Sequence, residues 1–332
     1  MNRTNQILAA VLALQIVLLA VIFWPKPATS IASGESLFAG LEADQIVRLT
    51  IHGADGKKIQ LAEGAEGWGL PEADDYPALE DKVPELLDKI VGLTADRLVT
   101  QTPASHKRLK VAEDAFERLI EFELADGTGH KLYLGSSPTY GVIHVRADDE
   151  DEVYLASGLS SSDAGVQAAN WVDTQYFAVD KDQMTALTLE NENGRFEFEK
   201  DDAGTWAMKG LAADETLNQN NVKGLASRVA SVRMLRPLGK EAQDDYGLDN
   251  PNATVTVETK DDEGNVKTYT LQVGAQSEEE NSYVVTSSES SYYVQVSSHI
   301  VQDFTQKARD NFLELPPTPT PESTEPTPEP TP

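Results

Sequence analysis

Hydrophobic and polar residues alternate with a period of two through much of residues 45–62 and again through 185–200. Gln45–Ile51 and Lys58–Ala62 predict a strand pair around the turn Gly53-Ala54-Asp55-Gly56. Thr185–Glu190 and Arg195–Lys200 predict a second pair around Asn193-Gly194, a dipeptide that accepts the left-handed backbone of a tight hairpin. A tryptophan follows each pair, Trp68 and then Trp206. The period then changes to that of a helix. Val83, Leu86, Leu87, Ile90 and Leu93 fall on one helical face, and so do Val222, Leu225, Ala226, Val229 and Val232. Each helix runs into a strand, Arg97–Thr100 or Met234–Leu238. Four hairpin strands follow near Leu119–Leu124, His130–Leu134, Val142–Arg146 and Glu152–Leu155, with counterparts near Thr254–Thr259, Thr268–Val273, Ser282–Thr286 and Tyr292–Val296. Asp126-Gly127 and Glu263-Gly264 supply the first of these turns. An amphipathic segment (Ile300, Val301, Phe304, Ala308, Phe312) closes the series.

The parallel between the halves extends to residue identity. Leu37-Phe38-Ala39 returns as Tyr176-Phe177-Ala178, and Asp44-Gln45-Ile46 as Asp182-Gln183-Met184. Leu109 finds Leu248, Gly135 finds Gly274 and Tyr154 finds Tyr293, all at the same offset of 139. Such a period is too long for a solenoid and fits two whole domains in tandem. Runs of hairpin strands with one packed helix predict the α+β class: two homologous, mostly antiparallel sheet domains at 37–170 and 172–313. Trp68 and Trp206 are expected in equivalent buried places as core filling.

The two ends differ from the body. Ile7–Trp24 is 18 residues long with one polar interruption, Gln15, and makes a helix of about 27 Å, near the ~30 Å hydrocarbon thickness. Residues 7–24 therefore read as a transmembrane anchor, with 1–6 cytoplasmic and 25–36 a linker. Phe23 and Trp24 suit the far interface, and Pro25 and Pro27 stop the helix. Small residues at Ala28-Thr29-Ser30 and Ser30-Ile31-Ala32 leave cleavage as a signal peptide open. Either reading places the body across the membrane, outside the cytoplasm. Residues 314–332 read as a disordered tail; its Pro316–Pro332 portion has eight prolines among Thr, Ser and Glu, an extended segment reaching about 53 Å.

Composition narrows function more than it names it. A net charge of −28 from 27 basic and 55 acidic residues repels phosphate backbones, which argues against a nucleic-acid partner. The chain has no cysteine, so disulfides, thiol catalysis and Cys-based zinc sites are excluded. Neither phosphate-binding glycine loops nor zinc or serine-hydrolase motifs occur, and no catalytic, cofactor-binding or metal-ligating residue is assigned. The five histidines (His52, His106, His130, His144, His299) are scattered, although His130 and His144 can face each other on neighbouring strands. The acidic run Asp148-Asp149-Glu150-Asp151-Glu152 lacks the alternation and glycine of a calcium loop and reads as a solvated turn. Ser160-Ser161-Ser162-Asp163 reads as a loop or helix cap.

The order of these features carries a resemblance. An anchored start, Leu37-Phe38, Asp44-Gln45-Ile46, a Trp after a hairpin, then Tyr246-Gly247-Leu248-Asp249-Asn250-Pro251, Val273-Gly274 and Tyr283-Val284 resemble the bacterial domain of unknown function 4340, here in two tandem copies. The first copy departs at the turn, where His106-Lys107-Arg108-Leu109 replaces Tyr-Gly-Leu. The resemblance implies no established activity. It implies gene neighbours such as ABC-type export permeases, and so an accessory role in an envelope or ABC-type transport assembly. The expectation is a single-pass, membrane-anchored extracytoplasmic binding or scaffold protein, not an enzyme, partnered by the membrane through residues 7–24 and by an ABC-type transporter or other envelope protein. An extracytoplasmic hydrolase and a passive spacer are the competing expectations.

Overall fold

The computed structural model describes Gln15, residues 34–278 and residues 280–314. The anchor expected at 7–24 (Gln15 apart), the segments 1–6 and 25–33, and the tail from 315 lie outside the described residues. Among the described residues no helix is long and apolar enough to cross a membrane.

The first half runs β1 (Ile46–Gly53), β2 (Lys58–Gly64), β3 (Gly67–Leu70), β4 (Tyr76–Pro77), α1 (Lys82–Val91), β5 (Arg97–Thr100), α2 (His106–Leu109), β6 (Val111–Ala112), β7 (Ala115–Phe116), β8 (Arg118–Leu124), β9 (Gly129–Leu134), β10 (Val142–Ala147) and β11 (Val153–Ser157). The second runs β12 (Gln175–Ala178), β13 (Met184–Asn191), β14 (Gly194–Lys200), β15 (Trp206–Met208), α3 (Gln219–Val229), β16 (Ser231–Arg233), β17 (Arg236–Gly239), β18 (Ala253–Lys260), β19 (Val266–Ser277), β20 (Ser282–Ser287), β21 (Tyr293–Ser297) and α4 (Ser298–Thr305). The chain is α+β and largely β.

Two large sheets form. The first has nine strands in the order β4-β3-β2-β1-β8-β9-β10-β11-β5, and the second has eight in the order β15-β14-β13-β18-β19-β20-β21-β17. Strand for strand these are one topology, with β4 as the addition. In both, β8–β11 or β18–β21 make an antiparallel meander, and the strand after the helix pairs antiparallel with the last of them. The inherited helical face is buried in both copies: Val83, Leu86, Leu87, Ile90 and Leu93 in one, Val222, Leu225, Ala226, Val229 and Val232 in the other. By contacts, one compact unit comprises the described residues up to Ile46 with His52–Gly56 and Glu85–Ala164. The other comprises Val47–Ile51, Lys57–Pro84 and the described residues from Gly165 onward.

The turn at which the first copy departs in sequence keeps its shape. α2 ends on Lys110 in the left-handed region (φ 58), and the short 3-10 turn Asp244–Tyr246 ends on Gly247 in the same region (φ 65). The carbonyl just before that residue then presses on a glycine, Gly135 just past β9 in one copy and Gly274 within β19 in the other. A Cβ on Gly135 would stand 2.2 Å from Leu109 O, and one on Gly274 would stand 2.1 Å from Tyr246 O. Those distances forbid any side chain, so both glycines are fixed by close approach of backbone to backbone.

The tryptophans differ from expectation. Trp206 is buried, sharing the inward face of β15 with Met208, and the Gln219 side chain holds its backbone by bonds of 3.0 and 2.7 Å. Trp68 is only half-buried, while Leu70, two residues on along β3, is buried. A second core indole is Trp171, 2% exposed, whose Nε1 donates to Gly165 O at 2.8 Å.

Trp206→Ala is expected to cost about 3–5 kcal/mol and Trp68→Ala less, read from urea unfolding. Gly135→Ala and Gly274→Ala should each cost about 1–3 kcal/mol by overpacking. Equal losses at the two tryptophans, or glycine variants as stable as the parent, would contradict this packing.

Candidate functional site

The segment Glu35–Leu41 crosses the first unit ahead of β1, and its apolar residues turn inward. Leu37 N donates to Leu93 O at 2.8 Å and Ser36 Oγ donates to Phe38 O at 3.1 Å, which fixes the local path. Phe38 is buried and meets two rings edge-on, Phe122 at 5.2 Å and His130 at 5.6 Å. Beside them opens a cleft of about 750 Å³, lined by the 35–41 segment, Gln45, Leu124, His130, Asp148 and Glu150. That volume lies within the range of small-ligand sites, about 300–1,000 Å³.

Its polar wall is the acidic turn between β10 and β11, and the turn is held from several sides. Asp148 Oδ1 accepts the Lys131 N–H at 2.8 Å, and Oδ2 pairs with His130 Nδ1 at 3.0 Å. The Arg146 guanidinium, 4% exposed, lies 4.0 Å over the Tyr133 ring. It donates to Val111 O at 2.7 Å, Asp148 O at 2.9 Å and Glu150 O at 3.3 Å. His106, also buried, bonds through Nε2 with Asp151 O at 2.9 Å. Asp148 takes a left-handed backbone (φ 44), a conformation that strains a non-glycine residue and persists only when its surroundings impose it. The run forms the turn expected of it, with Asp149 and Asp151 exposed, and its backbone is braced from beneath.

Glu150 is the unusual member. Its Oε2 is buried and has no hydrogen-bond partner. Burial pushes its carboxyl above the usual range, and the carboxylates of Glu152 and Asp148 add to the rise. An orphaned buried acceptor costs on the order of 1–3 kcal/mol, a cost the fold carries at this turn.

The other sequence candidates fall elsewhere. His130 and His144 do not face each other. The register sets His144 beside Gly135, where its Nδ1 meets Ser136 O at 2.7 Å, while His130 lies opposite Phe122. His52 pairs with Glu121 at 2.8 Å and exposed His299 with Gln302 at 3.2 Å. Ser160 N donates to Asp163 Oδ2 at 2.8 Å, and Asp163 also takes Lys89 at 2.6 Å, so that run is a local turn. Among the described residues no group of three or more His, Asp or Glu is arranged to hold a metal ion. Inside the second unit, Tyr292 stands between Tyr76 (4.7 Å) and Lys240 Nζ (4.6 Å), and Asp74 Oδ2 accepts the Lys240 N–H at 2.6 Å. The polar groups of that cluster are spent on one another.

A raised carboxyl binds its proton more tightly folded than unfolded, so its contribution is full below the unfolded value, about 4.3, and is lost as pH rises through the folded value. Wild type should therefore lose stability relative to Glu150→Gln as pH climbs out of the carboxylate range. Parallel pH profiles in urea unfolding would show that Glu150 is not perturbed.

The sequence profile described as Domain of unknown function (DUF4340) matches residues 68–236 and 214–314. No curated protein and no solved structure matches the chain. With most of the two-sheet body covered, this chain belongs to the DUF4340 family.

Proposed function

We propose that this protein is a membrane-anchored, extracytoplasmic binding component of an envelope assembly, with residues 7–24 as anchor and the cleft of the first unit as its binding site. The observation that carries the binding reading is the cleft itself, whose acidic wall of Asp148 and Glu150 sits on a turn braced by Arg146, His106 and Lys131 N–H. A braced acidic wall beside an aromatic floor suits a ligand that carries donors. The anchor reading rests on the 18-residue apolar run, and an ABC-type transporter or another envelope protein is the partner class that the family resemblance suggests. One feature favours a second reading, a hydrolase. His130 is oriented by Asp148 at 3.0 Å, and burial pushes the Glu150 carboxyl up, a pairing that suits base and acid roles.

Full-length protein should resist carbonate extraction from membranes, and protease added outside intact cells should digest the body. A photo-crosslinker at exposed Ala39, on the lip of the cleft, should form an adduct in intact cells that Glu150→Gln diminishes. Soluble intact protein would remove the anchor, and a protected body would reverse the orientation. An adduct unaffected by Glu150→Gln would remove the cleft from the reading, while substrate turnover lost in His130→Ala would favour the hydrolase.

A further inference from the structure

The duplication supplies an internal control for the cleft, because the second copy contains the same place already filled. Hydrogen bonding aligns the two turns. Asp148 N donates to Lys131 O and Lys131 N to Asp148 Oδ1 in one; Ser288 N donates to Thr270 O and Thr270 N to Ser288 Oγ in the other. Glu150 N then donates to Ala147 O as Ser290 N donates to Ser287 O. Ser290 thus stands where Glu150 stands, and Tyr269 where His130 stands. The aromatic pair is kept: Phe177 meets Tyr269 edge-on at 5.8 Å, as Phe38 meets His130 at 5.6 Å.

What differs is where the donors come from. In the second copy the residue before the phenylalanine is Tyr176. It is buried, its hydroxyl donates to Tyr292 O at 2.7 Å, and Ser290 and Thr286 are within its reach. Burial holds that phenol up to about 12, so it remains a donor at any physiological pH. Two residues before Tyr269, Lys267 lays its ammonium 4.7 Å over the ring and donates to Glu289 at 2.6 Å. The first copy has Leu37 in place of Tyr176, and Thr128 in place of Lys267. Neither side chain carries a donor that spans the cleft. The facing turn moves the opposite way: residues 148–152 are all acidic, whereas 288–292 contain one acid, Glu289.

We infer that the cleft of the first unit binds a primary ammonium group on an apolar stem, such as a lysine side chain, supplied from outside in place of the hydroxyl and ammonium that the second copy supplies from within. An ammonium has three donors and no acceptor, which matches a cleft lined by the carboxyl groups of Asp148 and Glu150. The stem has Leu37 and Phe38 to lie on. This deepens the proposed binding role and rests on the cleft being its site.

The test uses the full chain in detergent micelles with n-pentylamine and 1-pentanol as probes, read by ligand-observed NMR at neutral pH. Pentylamine should bind about tenfold or more tightly than pentanol, as expected for a charge-assisted bond replacing a neutral one. Glu150→Gln, nearly isosteric, should erase that difference, and Leu37→Tyr, which copies Tyr176, should block both probes. Equal binding of the two probes, still blocked by Leu37→Tyr, would overturn the ammonium inference and leave the cleft as a binding site. Absence of binding by either would overturn both. Stoichiometric calcium that displaces pentylamine and is lost in Glu150→Gln would overturn it in favour of a metal site. Should Leu37→Tyr fail to fold, the amine-to-alcohol ratio in Glu150→Gln decides alone.

Discussion

The closest constraint in this fold is a peptide carbonyl pressed onto a glycine, made once in each copy. Leu109 O over Gly135 and Tyr246 O over Gly274 leave no space for a β-carbon. In the first unit much hangs from that approach. It seats the segment from His106 to Val111 against β9 and β10, where Leu109 O also accepts from Ser136 N at 2.9 Å. His106 is then placed to reach Asp151 O, and Val111 O to receive Arg146. A small apolar cluster of Leu109, Val111, Tyr133 and Val153 closes beneath. Without the glycine, the elements that brace the acidic turn lose their common support.

Arg146 extends the same support by electrostatics. A guanidinium at 4% exposure would be costly to desolvate, yet its donors meet carbonyl oxygens and its face meets the Tyr133 ring. Arginine suits this place because its charge is spread and its donors are set in a rigid fork, whereas a lysine would present one strongly hydrated point. Two of the carbonyls, those of Asp148 and Glu150, belong to the turn that carries five consecutive acids, so the cation fixes the backbone on which those carboxylates crowd together.

Much of the architecture was legible because it follows from periodicity. The five-residue helical face, the hairpin alternation and the offset of 139 are consequences of burial, and burial leaves a pattern in any amphipathic element. The shape kept at α2 was not legible, since Lys110 adopts the left-handed backbone that Gly247 adopts without strain. Nor was the exact pairing: Tyr154 matches Tyr293 by offset, but Tyr154 pairs with Val145 as Val294 pairs with Val285. One extra residue between β19 and β20, with a bulge after Val273, shifts the ladder while leaving the sequence match intact. The half-burial of Trp68 was not legible, since an aromatic after a hairpin reads the same whether one face of it is covered or both. The cleft was visible only in fragments: Phe38 as a core residue, His130 as a stray imidazole and the acidic run as a turn. Their meeting depends on the register of β9 with β10, which spacing along the chain does not encode.

The two copies therefore separate what the fold requires from what one copy does with it. Both keep the glycine under a carbonyl, the left-handed residue after a helical turn, and the edge-on aromatic pair. These are constraints of packing, and losing any of them would be felt in stability. The differences gather at one turn and the strand facing it. There the second copy has closed its polar groups upon Tyr176 and Lys267, and the first has replaced both donors while multiplying the acceptors. A neutral drift toward solubility would scatter acids over exposed positions, where hydration satisfies them. It would not brace the turn with buried Arg146 and His106, nor hold Asp148 in a strained backbone. A braced acidic wall beside an apolar floor is suited to a donor that arrives from elsewhere.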